Sequence, residues 1–440
     1  MAKHGTDISK RIRNIPAGTS VESFLIHGRH FTEKWDFRHH IIPPQSSSVT
    51  YRLDKTDRGA RGFQEYASGN AHKNKPIYIY DRLDEPTRGM LEDELAAFEG
   101  GDFCVAFSTG MAAIAAALGV VLNAGDEVVA HKTLYGCTYS LITNWYPRLN
   151  IGHAFLDMRD IDALRGAITD KTRAIYFESP VNPTLELIDI AEVRKVVDKV
   201  NAKREPGRQV YVIVDNTFAT PYCQRPLELG AHVVVHSLTK NIGGFGTDMG
   251  GAVIGPREIE GQVLLYRKDF GAALAPKSAW PILVYGLPTL PLRLRQQMHT
   301  AYEVASFLQG HPKVSRVVYP GLDNYAQLAL AKQQMRTPDG DFAPGNMIYF
   351  ETAEIDANKP ENNIKVVDWI AQHAYTLTLA VSLGQLRTLI ENPGAMTHAA
   401  VPPEQRLEGG IAPNGIRLSI GVEPAADIIR DLEAALALAK

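Results

Sequence analysis

Polar and apolar positions divide the chain into three stretches. Residues 1 to about 75 keep no steady period, and HHIIPPQSSS and NAHKNKP scatter histidine, proline, serine and charge. Phe24, Leu25, Ile26, Phe31, Trp35 and Phe37 are nevertheless too apolar for a solvated linker, so an ordered arm is expected there. From residue 84 onward, brief apolar runs alternate with stretches of helical period. PTRGMLEDELAAFEGG reads as a helix closed by glycine, CVAFST as a short strand and GMAAIAAALGVVL as a helix. DEVVAHKTL, RAIYFES, QVYVIVDNT and AHVVVHSLTK each hold a β-branched run of strand character, with helical AEVRKVVDKVNAK lying among them. The unbroken apolar VYVIV and HVVVH suit strands covered on both faces, so a largely parallel α/β sheet is expected. Near residue 290 a long helical pattern, LPLRLRQQMHTAYEVASFLQG, leads into a smaller α+β unit. NMIYFET, TLTLAVSL and IRLSI are its expected strands, AADIIRDLEAALALAK its closing helix, and KQQMRTPDGDFAPG a surface loop. The expected divisions are an arm over 1–83, a large α/β domain over 84–290 and an α+β domain over 291–440.

Composition changes this picture little. A chain of 440 residues, 45% hydrophobic and 22% charged, can build two or three cores. The net charge of −3 gives no general attraction to nucleic acid or to an anionic membrane. Cys104, Cys137 and Cys223 are far apart and form no C-x-x-C pair, so neither a disulfide framework nor a metal site is expected. With no apolar secretion core near the N-terminus and no run long enough to span a bilayer, a cytoplasmic protein is expected.

In an open α/β sheet, ligands gather at the carboxyl ends of strands. Gly110 lies between a strand and a helix, where the amides of Gly110 and Met111 could face a phosphate; a plain turn explains the glycine as well. Asp215 ends a buried strand, and an ionised carboxylate there needs a partner. A protonated pyridine nitrogen would serve and would make the ring a better electron sink, although a cap or turn aspartate fits the residue taken alone. Ser237, Thr239 and Lys240 follow another buried strand. Partial burial near cationic groups lowers a lysine pKa enough for imine chemistry, and the two hydroxyls can donate to phosphate oxygens. Single loop lysines are usually just exposed; the strand–Asp and strand–Ser-x-Thr-Lys combination is what points to a site. NIGGFGTDMGG is not a dinucleotide fingerprint, because Met249 stands where a third glycine is needed; it reads as a flexible turn. Arg417 lies on an expected strand and could grip a carboxylate with two parallel hydrogen bonds, or be a surface arginine.

Together these residues resemble the Cys/Met-metabolism (trans-sulfuration) family of fold-type-I pyridoxal-phosphate enzymes. The matching segments run in order from Tyr78 to the C-terminus: YDRLDEPT, EGGDFCVAFSTGMAAI, LYGCTY, YFESPVNPT, VDNTF, TPYCQRPLELGA, HSLTK, VSLG, MTH and RLSIGVE. The resemblance implies pyridoxal 5′-phosphate carried by Lys240, with its pyridine nitrogen on Asp215. It assigns Thr109, Gly110, Met111, Ser237 and Thr239 to the phosphate, Tyr135 to stacking on the ring and to acid catalysis, and Asn182 to the neighbourhood of the phenolic oxygen. Ser382 and Arg417 would bind the substrate carboxylate, with Cys137 and Val381 beside the substrate. Tyr80 and Arg82 resemble the pair that reaches a neighbouring subunit's phosphate, which implies a homotetramer, a dimer of dimers, with the N-terminal arm on the neighbouring subunit.

The implied reaction is γ-elimination from a sulfur-containing amino acid, as in methionine γ-lyases, releasing a thiol, 2-oxobutanoate and ammonia. The alternative is γ-replacement, as in O-acetylhomoserine sulfhydrylases and cystathionine γ-synthases. Cys137 is a methionine γ-lyase trait, and Val381 lacks the acid of cystathionine-cleaving relatives. GGFGTDMGG is similar to the GGHGT segment of sulfhydrylases with Phe245 in place of histidine, but their insertion after the lysine segment is absent. Asp81, Asp84 and Glu85 depart from the usual YSRxSNPT motif beside the phosphate pair. A nicotinamide oxidoreductase lacks its glycine fingerprint here, and the intact Asp215, Ser237, Thr239 and Lys240 set argues against a non-catalytic scaffold.

Overall fold

The computed structural model describes residues 18–28, 40–68, 76–353 and 361–437. Its larger sheet has seven strands: β1 (Phe103–Phe107), β2 (Glu127–His131), β3 (Gly152–Leu156), β4 (Thr172–Glu178), β5 (Tyr211–Asp215), β6 (Val233–Ser237) and β7 (Gly251–Gly255), in the order β1-β7-β6-β5-β4-β2-β3. The β3, β2, β4, β5 and β6 neighbours pair in parallel, while β7 runs antiparallel to both β6 and β1. Val212, Ile213, Val214, Val233, Val234 and Val235 are all 0% exposed, as their unbroken apolar runs require. The smaller sheet contains β8 (Val314–Val318), β9 (Met347–Thr352), β10 (Thr378–Leu379), β11 (Leu389–Glu391) and β12 (Gly415–Ser419), ordered β10-β11-β12-β9-β8. Helix Leu287–Gly310 connects the two sheets: Leu290 and Leu294 pack in a core with β1 and β7 residues, and Val304 and Leu308 in the core of the smaller sheet.

The α/β architecture with a mostly parallel central sheet and a smaller second sheet agrees with the sequence pattern. Several local expectations are corrected. The stretch before residue 75 is not simply irregular: helices span Val21–His27 and Thr56–Glu65, and Phe24 and Leu25 are buried in the core that contains Leu290. Ile26 is exposed, and Phe31, Trp35 and Phe37 lie outside the described residues. TLTLAVSL yields only the two-residue β10, since Val381 and Ser382 turn away to line a cavity. The segment 332–345 is no surface loop: helix Leu328–Gln334 extends into it, and Met335 and Ala343 are wholly buried. Strands β3, β7, β8 and β11 have no counterpart in the sequence reading.

The departures at 81–85 are structural substitutions with visible partners. Glu85 caps helix Pro86–Glu99, accepting from the Thr87 and Arg88 amides at 2.9 and 2.7 Å. Asp84 Oδ1 accepts from the Glu85 amide at 2.9 Å. Asp81 pairs with the fully buried Arg88 at 2.8 Å, and Arg88 also donates to the Leu274 carbonyl at 2.8 Å. Arg267, buried as well, pairs with Glu92 and donates to the Leu83 carbonyl at 2.8 Å. The acids that look disruptive in the sequence therefore fasten the segment carrying Tyr80 and Arg82 onto the large sheet. Arg88→Ala strands the Asp81 carboxylate and removes the tie; it is expected to lower stability by about 3–5 kcal/mol in denaturant titration.

Candidate active site

One cavity of about 230 Å³ opens where the carboxyl ends of β4, β5 and β6 meet the loops of the smaller sheet. Thr109, Gly110, Met111, Tyr135, Asn182, Asp215, Ser237, Thr239, Lys240, Val381, Ser382 and Arg417 all line it. Residues from positions 109 to 417 thus converge without a sequence neighbourhood to announce them.

Helix Gly110–Gly119 begins on one wall. Thr109 caps it by accepting from the Ala112 amide at 3.1 Å. Gly110 rests on Ser237, and a Cβ on it would come within 2.8 Å of the Ser237 Cβ. On the far side Gly251 leaves room for the Thr109 carbonyl oxygen, which would lie 2.1 Å from a Cβ there. The Ser237 amide donates to Thr217 Oγ1 at 2.8 Å, and Thr239 Oγ1 exchanges hydrogen bonds with Gly250. The Gly110 and Met111 amides, at the first turn of the helix, have no intrahelical carbonyl to bond and can face an anion.

The charged groups divide between two sides. Asp215 and Glu178 end β5 and β4 in register, so two carboxylates stand on adjoining strands. Asp215 accepts from the Thr217 amide at 2.9 Å and from the Tyr176 hydroxyl at 3.4 Å, with no cationic side chain bonded to it. Burial raises its pKa. Glu178 accepts from the Tyr135 amide at 2.6 Å, and burial, followed by the Asp215 charge, pushes its pKa up to about 8. Opposite them Lys240 Nζ donates to Ser382 Oγ at 3.2 Å; burial first and the Arg417 charge second hold its pKa below the usual lysine value. Arg417, 3% exposed at its side chain, donates to Asn182 Oδ1 at 3.0 Å and to the Ser382 carbonyl at 2.9 Å. Burial raises the Tyr135 hydroxyl pKa, and the neighbouring Cys137 thiol adds to the rise.

Three of the expected residues are not in this cavity's wall, two of them expected at a neighbouring subunit's phosphate instead. Cys137 is exposed and beside Tyr135 rather than in the cavity wall. Tyr80 and Arg82 do not line the chain's own cavity; the Arg82 guanidinium sits 5.8 Å from the Tyr80 ring and donates to the Lys268 carbonyl. Phe245 is also outside it, with its ring 5.6 Å from the Arg293 guanidinium and edge-on to Tyr285. The sequence reading overlooked Glu178, Thr217, Phe218, Met249 and Thr397, which line the cavity. The strand-end rule that singled out Asp215 applies equally to Glu178.

A cofactor's fit can be judged from Asp215: a half-buried carboxylate that, among the described residues, has no cationic side chain bonded to it suits a protonated ring nitrogen, and the Gly110 wall suits a phosphate. Fold and site together define a pyridoxal-phosphate-dependent enzyme of the fold-type-I class. The profile of the Cys/Met metabolism PLP-dependent enzymes matches residues 23–437, and the chain belongs to that family of sulfur amino acid metabolism. The chain is 41% identical over 400 residues to an L-methionine gamma-lyase of Fusobacterium nucleatum subsp. polymorphum, covering 90% of this chain and 93% of that one. It is 38% identical to a cystathionine beta-lyase of Lactococcus lactis subsp. cremoris, over 95% and 99% of the two chains. The crystal structure of a cystathionine gamma-lyase from Lactobacillus plantarum complexed with L-serine superposes with a TM-score of 0.81 at 32% identity, covering 96% and 99%.

The paired carboxylates give the cofactor-free protein a pH signature. Glu178 holds a proton in the folded state that its unfolded counterpart releases near 4.5, so its stabilising contribution is present at low pH and is lost as pH rises toward about 8. Glu178→Gln should remove this loss. Compared across pH 5 to 8, the thermal midpoint of the cofactor-free wild type should fall relative to that of the variant.

Proposed function

We propose that the chain is a methionine γ-lyase-type enzyme, releasing a thiol, 2-oxobutanoate and ammonia. The observation that carries this reading is the single cavity in which Asp215, Lys240 and Arg417 meet, in a chain 41% identical to an L-methionine gamma-lyase. Val381 supports an uncharged leaving group: it lines the cavity, is 58% exposed and puts no acid there.

Bound in the cavity, pyridoxal phosphate supplies an electron sink for charge developing at the substrate Cα. Lys240 would carry it covalently; with a lowered pKa, its amine is a nucleophile and, once released, would pass a proton from Cα to the cofactor's C4′ before taking one from Cβ. Asp215 keeps the ring nitrogen protonated. The Gly110 and Met111 amides, the Thr109 cap and the Ser237 and Thr239 hydroxyls hold the phosphate. Tyr135 would stack on the ring and, with its raised pKa, would keep the proton it gives to the departing sulfur. Asn182, which accepts from Arg417, would lie near the phenolic oxygen. Arg417 and Ser382 would hold the α-carboxylate and Val381 would flank the leaving group, with Cys137 next to Tyr135 just outside the cavity wall.

The same reading includes a homotetramer in which Tyr80 and Arg82 reach a neighbouring chain's phosphate and the arm over 1–83 lies against that neighbour. Their absence from the chain's own cavity and their firmly tied segment support it. It also includes the divisions at 84–290 and 291–440, and residence in the cytoplasm, in keeping with three free thiols. Among the described residues no helix is long and apolar enough to cross a membrane.

The assay that decides is purified holoenzyme with methionine, then with O-acetylhomoserine plus sulfide. 2-Oxobutanoate from methionine is expected; homocysteine formation alone, in the second mixture, makes the enzyme a γ-replacement transferase instead. Lys240→Ala should abolish turnover. Arg417→Ala should raise KM on the order of 10²-fold, the loss typical of truncating one member of a buried charge pair; an unchanged KM would move the carboxylate site elsewhere.

A further inference from the structure

Arg417 does not wait for substrate as a free cation. β11 and β12 are antiparallel, and their register sets Glu391 directly across from Arg417. The Glu391 carboxylate is 3.0 Å from Arg417 Nη1, with side-chain exposures of 1% and 3%. Thr397 Oγ1 donates to the same carboxylate oxygen at 2.8 Å, while Oε2 is buried with no hydrogen-bond partner. A carboxylate this deep is retained at a desolvation cost, so its place beside the guanidinium calls for a reason other than packing.

The donors of Arg417 can be counted. Nη1 donates to Asn182 and is ion-paired with Glu391, and Nη2 gives one hydrogen to the Ser382 carbonyl. Nε is buried without a partner. One Nη2 hydrogen and the Nε hydrogen remain, enough for a two-point grip on a second carboxylate. An incoming substrate would therefore share one cation with an anion already in place.

We propose that Glu391 is the built-in counter-ion of the substrate-carboxylate site, a positioning residue that fixes which edge of Arg417 faces the ligand and moderates how tightly the α-carboxylate is held. This rests on Arg417 being the carboxylate anchor. Two anions on one guanidinium repel across a few ångströms of low dielectric, so the ligand binds less tightly than to Arg417 alone and its product leaves more readily. The fixed anion also prevents Arg417 from repelling the Lys240 ammonium unopposed, since Glu391 raises the Lys240 pKa where Arg417 lowers it.

The test is direct binding to holoenzyme, read from the cofactor's absorbance, of 2-aminobutanoate and of its amide. Neither carries a γ-substituent, so the result is independent of whether methionine is the true substrate. Glu391→Gln keeps the shape and deletes the charge: 2-aminobutanoate should bind on the order of ten-fold more tightly, the amide nearly unchanged, and Glu391→Asp should stay near wild type. Weaker or equal binding of 2-aminobutanoate in Glu391→Gln, or an equal shift for both ligands, overturns the proposal. Should Glu391→Gln fold poorly, 2-aminobutanoate but not its amide should restore the thermal midpoint by supplying the missing anion; restoration by neither overturns it. Equal affinity for acid and amide in the wild type would instead sink the carboxylate role of Arg417 itself.

Discussion

Charge at the dry end of a parallel sheet has to be neutralised, and that requirement organises this molecule. Asp215 and Glu178 stand side by side where β5 and β4 terminate, in surroundings that disfavour ionisation of either. An unpaired carboxylate in such a place takes up a proton rather than remain charged. A cation bound against Asp215 removes the conflict, so the protein's own electrostatics favour the occupant that the family's chemistry uses. The neighbouring positive groups have partners of their own: Lys240 donates to Ser382, and Arg417 is matched by Glu391.

The second sheet is present for that matching. β12 brings Arg417 to the cavity from a strand wholly buried within its own sheet, and β11 delivers the compensating acid by register alone. The joint is held by helix Leu287–Gly310, whose Arg293 donates to the Asn241 carbonyl at 2.7 Å, one residue past Lys240. Movement of one sheet against the other would therefore disturb the lysine segment and the carboxylate clamp together.

Much of this was legible in the sequence because it follows local rules. VYVIV and HVVVH announce buried strands, and Asp215, directly after the first, and Lys240, a few residues past the second, fall at the ends where ligands collect. What stayed hidden depends on pairing between distant segments. GAVIG carries too little side chain to read as a strand, yet β7 is held between β6 and β1 and completes the sheet. Glu391 looks like any turn-adjacent acid until the β11–β12 register sets it opposite Arg417. Asp81 looked disruptive for the same reason, since its partner Arg88 is identified only once the helix is docked and buried.

The two glycines at the cavity wall have an evolutionary cost. At Gly251 the obstacle is the Thr109 carbonyl oxygen, backbone that cannot rotate away; at Gly110 it is the Ser237 Cβ. Every codon change that leaves glycine adds at least that one carbon, so any replacement at either position forces the opposing atoms to shift. A library aimed at new cofactor analogues is therefore best built on the hydroxyl-bearing residues around that wall.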